Sequence, residues 1–171
     1  MTSAPDDLPA LLGRLGHAID GISGPWPEAL FLFVSRITPL VNVDLLVQDA
    51  SARTLLTWRS DDFYGPGWHV PGGVIRFQES AAARIRRVAD LELGTSVEFD
   101  AAPLFVHEYI AHDRRDRGHF VSLLYRCRLL SNPDPALEHR QGEPRAGQWR
   151  WHAGCPADLI PEQRAYSTFL G

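Results

Sequence analysis

Apolar residues recur over 8–22 at Leu8, Leu11, Leu12, Leu15, Ala18, Ile19 and Ile22. That three-and-four spacing predicts an amphipathic helix. Residues 21–27 break it, and a second short helix is expected over 27–35 with Pro27 at its start. Residues 38–48 are nearly continuous in β-branched and aliphatic side chains, which predicts a buried strand, and 54–58 reads as its hairpin partner across the polar turn 49–53. Short strands are expected at 68–70 and 74–77, separated by Pro71-Gly72-Gly73, a tripeptide that does not suit regular sheet. The longest helical pattern follows over 79–93, with Ala81, Ile85 and Val88 on one stripe and Gly94 as its stop. Strands over 96–109 and 119–129, split by the charged segment 112–117, are followed by a proline-containing loop over 131–147. A short aromatic strand at 148–152 and a terminal helix at 161–170 complete the pattern. This mixture predicts an α+β fold with a mixed β-sheet, preceded by an N-terminal helical extension over 1–35.

Composition narrows the classes. At 171 residues the chain fits one domain with a real core, and 44% hydrophobic against 22% charged residues is ordinary for a globular protein. A net charge of −4 gives no electrostatic case for nucleic acid or an anionic membrane. Cys127 and Cys155 have neither metal-ligand spacing nor a disulfide framework, and both read as small buried hydrophobes. The polar, acidic start does not resemble a secretory signal, and no apolar run is long enough for a bilayer, so a cytoplasmic location is expected.

Candidate chemistry concentrates in 72–94. Gly72-Gly73 frees the backbone for close approach to a ligand, and the helix after it presents an N-terminus that favours an anion. Glu92 continues the apolar stripe of Ala81, Ile85 and Val88, where a carboxylate is costly unless neutralised or bound to a cation. The residues alone leave a plainer alternative open: a turn, a capping Glu79 that reaches Arg87 by folding back, and a glutamate at a frayed helix end.

The spacing Gly73-x5-Glu79-x7-Arg87-x4-Glu92-x-Gly94 resembles the Nudix box, with Val88 and Leu91 where that box usually has glutamates. The GDP-mannose mannosyl hydrolase branch is similar in the same two losses. Its likeness extends to Arg36-x-Thr38-Pro39-Leu40-Val41-x-x-Asp44, to Leu55-Leu56-x-x-Arg59 and to Trp68-x-Val70-Pro71-Gly72-Gly73. The resemblance implies a Nudix-type α/β/α sandwich over 36–171, and an Mg2+-dependent hydrolase, with Mn2+ as an alternative ion. Its implied substrate is a nucleoside-diphosphate sugar of the GDP-mannose kind, and it implies a homodimer. It places Glu92, the Gly72 carbonyl and Glu79 at the metal site, Arg59 and Arg87 in catalysis, and Asp44 and Arg59 on the substrate. Magnesium suits such oxygen donors.

In that branch water attacks the sugar's anomeric carbon, so cations that neutralise a departing diphosphate suffice, and fewer carboxylates are needed. Three of the branch's features are absent. The arginine after Gly-Gly is Val74, for which Arg76 is the expected substitute on the same strand face; a tyrosine is replaced by Phe120; and no Gln-His pair precedes Trp149-Arg150-Trp151. Among the nearby groups Glu143 is the expected base, ahead of any single histidine. Arg114, Arg115 and Arg117 read either as a solvated loop or as contacts to phosphate or sugar, and Phe63, Tyr64 or Trp68 as a stacking face for a base. Cleavage at phosphorus, and a weakly catalytic nucleotide-sugar binding module, are the competing readings.

Overall fold

The computed structural model describes residues 7–22 and 26–171. Strand β1 (Leu40–Val47) forms its centre, because its side chains are wanted on both faces. Val43, Leu45 and Val47 pack with Ile85, Val88, Ala89 and Leu93, while Leu46 on the alternate face packs with Leu124, Tyr166 and Leu170. Burying each such aliphatic side chain contributes about 2 kcal/mol. Along one edge β1 runs parallel to β7 (His119–Leu129), and along the other it runs antiparallel to β4 (Gly72–Val74). The far edge of β7 is shared by β5 (Val97–Phe99) and β6 (Phe105–Ile110), which completes a mixed five-stranded sheet. A second, antiparallel sheet has the order β3 (Gly67–His69), β2 (Thr54–Arg59) and β8 (Trp149–His152).

Several expectations change here. The hairpin predicted for β1 and β2 is not one: they meet only at a Gln48–Thr54 bridge, and each belongs to a different sheet. The long strand expected over 96–109 is two, because Asp100–Pro103 turns between them. Gly72 and Gly73 lie in β4 rather than in an irregular turn, paired with Asp44 and Val43. A Cβ on Gly72 would collide with Asp44 Oδ1 and approach the Val43 carbonyl oxygen to 2.9 Å, so glycine is what lets this strand close on β1. Cys127 is buried as expected, but Cys155 is exposed.

Helix α1 (Leu8–Asp20) buries none of its residues, whereas α2 (Glu28–Val34) sends Phe31 against Leu40, Tyr64 and Phe120. The break expected over 21–27 falls partly outside the described residues. Helix α3 (Ala81–Val88) starts at Ser80, whose hydroxyl accepts from the Ala83 N–H at 3.1 Å. It passes into a π-helical turn over Ala89–Leu93 and stops at Gly94, which has a left-handed φ of 62°. There a Cβ would lie 2.7 Å from Asp134 Cβ, so left-handedness and crowding both demand glycine. The predicted terminal helix is a 3-10 segment, Pro161–Phe169, lying over the β1 face opposite α3.

Candidate active site

Two adjoining hollows share Arg59, His69 and Gly72 in their walls. The deeper one also has Asp44, Ser122 and Tyr166 at its base and Arg117, Tyr109 and Phe120 along its side. The shallower one is bordered by Thr57, Glu92, Ala146 and Gly147.

Pairing of β1 with β4 places Asp44 directly beside Gly72. Asp44 is 3% exposed and accepts from the Tyr166 phenol at 2.6 Å. Burial pushes its carboxyl up to about 6, against the hydrogen bonds from Tyr166 and Ser122 and the charge of Arg59. Burial drives Glu92 further, to about 7, opposed by hydrogen bonds from Thr57 and the Gly72 N–H and by Arg59, and assisted by the nearby charge of Asp44. Two carboxylates that repel each other beside an arginine make a place where a cation lowers the energy.

The π turn sets the direction of Glu92. An α-helix continued from Val88 would carry it along the apolar stripe, but the wider turn buries Ala89 and Leu93 and leaves Glu92 facing Thr57 on β2. Thr57 Oγ1 is 3.1 Å from Glu92 Oε2 and 3.0 Å from His69 Nε2. His69 Nδ1 lies 2.9 Å from the Val70 carbonyl oxygen, which can only accept, so the ring proton sits on Nδ1. Burial, then the charge of Arg59, pushes His69 down to about 4, which keeps the ring neutral and Nε2 an acceptor. The single Thr57 hydrogen thus faces two acceptors, the Glu92 carboxylate and His69 Nε2.

Arg59 leaves β2 and is held by Asp61 at 2.6 Å. Asp61 also accepts from the Phe63 and Tyr64 N–H groups at 2.8 Å, an Asx-type turn that seats Tyr64 beneath the guanidinium.

The predicted residues therefore divide. Asp44, Arg59, Gly72 and Glu92 come together. Arg87 does not join them: it is exposed and lies 3.5 Å from Asp90. Glu79 pairs with Arg84 at 2.6 Å rather than with Arg87, because five residues along a capped first turn bring Arg84 back over it. Arg76 leans over the Phe31 ring and borders an apolar groove beside α2 instead of the cleft, since β4 ends at Val74 and the chain turns away. Glu143 is exposed on the loop whose Ala146 and Gly147 border the Glu92 hollow. Thr57, His69, Ser122 and Tyr166 escaped the sequence reading. For His69 and Thr57 a signal existed, since both sit on short strands next to recognised motif residues; Tyr166 had none.

A fold of two sheets with a glycine strand and a helix converging on a half-buried carboxylate defines a class, and comparison with known proteins identifies it. The NUDIX domain pattern matches residues 38–162. Among solved structures, a MutT NUDIX hydrolase from Burkholderia pseudomallei superposes with a TM-score of 0.61 at 24% identity, over 78% of this chain and 99% of that one. A UDP-X diphosphatase superposes with a TM-score of 0.54 at 17% identity, over 96% and 78%. The low-salt glycan biosynthesis protein Agl8 of Haloferax volcanii is 32% identical over 94 residues, which span 53% of this chain and 60% of that relative. The chain belongs to the Nudix family and carries a Nudix hydrolase domain.

Nudix hydrolases generally use divalent metals such as Mg2+. The residues present suit one such ion: a carboxylate at Glu92 driven up by burial, a second at Asp44, and the backbone of Gly72 between them. Among the described residues there is no group of three or more acidic, histidine or cysteine side chains poised to hold a metal. No helix among them is long and apolar enough to cross a membrane.

Proposed function

We propose that this enzyme hydrolyses a nucleoside-diphosphate sugar, of the GDP-mannose kind, to a nucleoside diphosphate and the free sugar. The observation that carries this reading is that, of the box positions 88, 91 and 92, only 92 has a carboxylate. The two further box positions are the buried Val88 and the exposed Leu91, neither of which can hold a metal ion. A site with so few carboxylates is poorly suited to making phosphorus electrophilic, but it can neutralise a diphosphate that departs from carbon. The biosynthetic name of the Haloferax relative and the UDP-X that gives the diphosphatase its name are compatible with such a substrate.

In this reading Glu92 and the Gly72 carbonyl hold Mg2+ or Mn2+, which supplies positive charge to the diphosphate oxygens when bound. Arg59, fixed by Asp61 and Tyr64, binds those oxygens from the side shared by both hollows. Asp44, oriented by Tyr166, faces the substrate from the floor. Glu143 takes the proton of the attacking water: its loop borders the hollow and its carboxylate has no hydrogen-bond partner among the described residues. Glu143→Gln then loses kcat while KM is retained; an unchanged kcat would remove it from this role. Two copies of the chain are expected to pair through the apolar groove between α1 and α2 that includes Leu15, Ile19, Leu30 and Phe33. A monomeric mass by light scattering would refute that pairing.

Turnover in heavy-oxygen water tests the reaction. Label in the sugar, with turnover lost in Glu92→Gln, supports cleavage at carbon; label in phosphate establishes pyrophosphate hydrolysis instead.

A further inference from the structure

Arg59 and Arg117 line the deeper hollow, and Arg114 lies against the same tyrosine, Tyr64. Three guanidinium carbons, those of Arg59, Arg114 and Arg117, lie 4.7, 4.3 and 5.1 Å from the centre of the Tyr64 ring. Two have carboxylate partners: Arg59 has Asp61 at 2.6 Å, and Arg114 has Glu162 at 2.9 Å. Arg117 makes no ion pair among the described residues, and its Nε is buried without a hydrogen-bond partner. Burial and the charge of Arg59 both weaken its hold on its proton. A guanidinium in that state is costly until an anion arrives.

Its position is built rather than incidental. The Arg117 N–H donates to Ser35 Oγ at 3.0 Å, and its carbonyl accepts from the Tyr64 hydroxyl. Neighbouring Asp116 is paired with Arg36. The residue adopts a left-handed φ of 54°, which costs a non-glycine residue about 1 kcal/mol and survives only where its surroundings enforce it. The guanidinium also lies 4.8 Å from the Phe63 ring centre and 5.7 Å from that of Phe31 on α2. Segments distant in sequence therefore hold one arginine in the wall that also contains Arg59 and Val74. Val74 occupies the place of the branch's missing arginine, and Arg76 does not reach this wall.

We propose that Arg117 and Arg59 together form a receptor for a diphosphate group, with Arg117 fixing substrate affinity and the preference for two linked phosphates over one. Two planar donors on a shared aromatic support can engage oxygens of successive phosphates, which a single arginine cannot do as well. This rests on the reading of the substrate given above, but it can be tested apart from it.

The probe is inorganic pyrophosphate, titrated calorimetrically into the metal-free protein in EDTA, with orthophosphate as the comparison. The wild type is expected to bind pyrophosphate at least tenfold more tightly than orthophosphate. Arg117→Gln weakens pyrophosphate at least tenfold, and Arg117→Lys, which keeps charge but not the fork, recovers part of the loss. Arg115→Gln, on the exposed side of the same loop, binds as the wild type does. Pyrophosphate affinity within twofold of wild type in both Arg117 variants overturns the proposal, as does an equal loss in Arg115→Gln. If nucleotide-sugar turnover is absent while this pattern holds, the substrate reading fails and the receptor stands. If turnover is present with KM unchanged in Arg117→Gln, the receptor fails and the substrate reading stands.

Discussion

Replacing Glu92 by glutamine is expected to stabilise the metal-free protein at alkaline pH. Glu92 titrates near 7 in the folded protein against an ordinary 4.5, chiefly because burial disfavours its charge. A carboxyl raised on folding contributes stability that is fully present below pH 4.5 and is lost as pH rises through 7. A shift of about 2.5 units corresponds to at most about 3 kcal/mol of penalty at pH 8.5. Glutamine carries no charge to bury and keeps a partner for Thr57. Urea unfolding in EDTA of wild type and Glu92→Gln measures the difference. The variant should be more stable by on the order of 2–3 kcal/mol at pH 8.5, converging with wild type towards pH 4.5. The comparison between proteins matters, because His69 and His152, both pushed down to about 4 by burial, act in the opposite sense. Their contribution is present above pH 6.5 and is lost as pH falls, but it cancels between wild type and variant. Adding Mg2+ at pH 8.5 should reverse the order by stabilising the wild type alone. A wild-type-to-variant difference that does not change with pH would refute the idea that Glu92 is a strained, cation-seeking carboxylate.

Two further outcomes follow from the geometry. Gly72→Ala forces a Cβ against Asp44 and the Val43 carbonyl, and should cost about 1–3 kcal/mol in thermal unfolding along with most activity; a neutral effect would mean that β4 moves freely. Arg59→Gln should reduce kcat/KM at least a hundredfold and Arg87→Gln less than tenfold, since only the first side chain reaches the cleft. Equal losses from the two would contradict this arrangement.

Much of the site could be read along the chain because its anchors are backbone-driven. Glycines at 72, 73 and 94 leave marks that do not depend on distant partners, although the cap expected at Glu79 is Ser80. Asp44 and Arg59 were found through motif spacing. The remainder depends on long-range contacts. Nothing in the apolar pattern says that β1 and β2 enter different sheets, because either pairing buries the same side chains. Tyr166 reaches Asp44 only because the C-terminal segment folds across β1, 122 residues away. By sequence Arg117 is one of several charges in a loop that reads either as solvated or as a contact to phosphate or sugar, and only its anchoring by Ser35 and Tyr64 separates it from Arg115. Periodicity likewise cannot distinguish an α-helix from one that widens at its last turn, so by periodicity alone Glu92 falls on the apolar stripe.

That last turn makes residue count, rather than residue type, the property that matters between Val88 and Gly94. A π turn holds one more residue than the α turn it replaces. Removing a single position there would restore ordinary winding and swing each following side chain by about 100°. Glu92 would then point away from Thr57, although every chemically important residue remained in the chain. Substitutions at the outward-facing Leu91 are expected to be borne easily, and a one-codon deletion at the same place is not. The number of residues in this turn, as much as their kind, then fixes where Glu92 points.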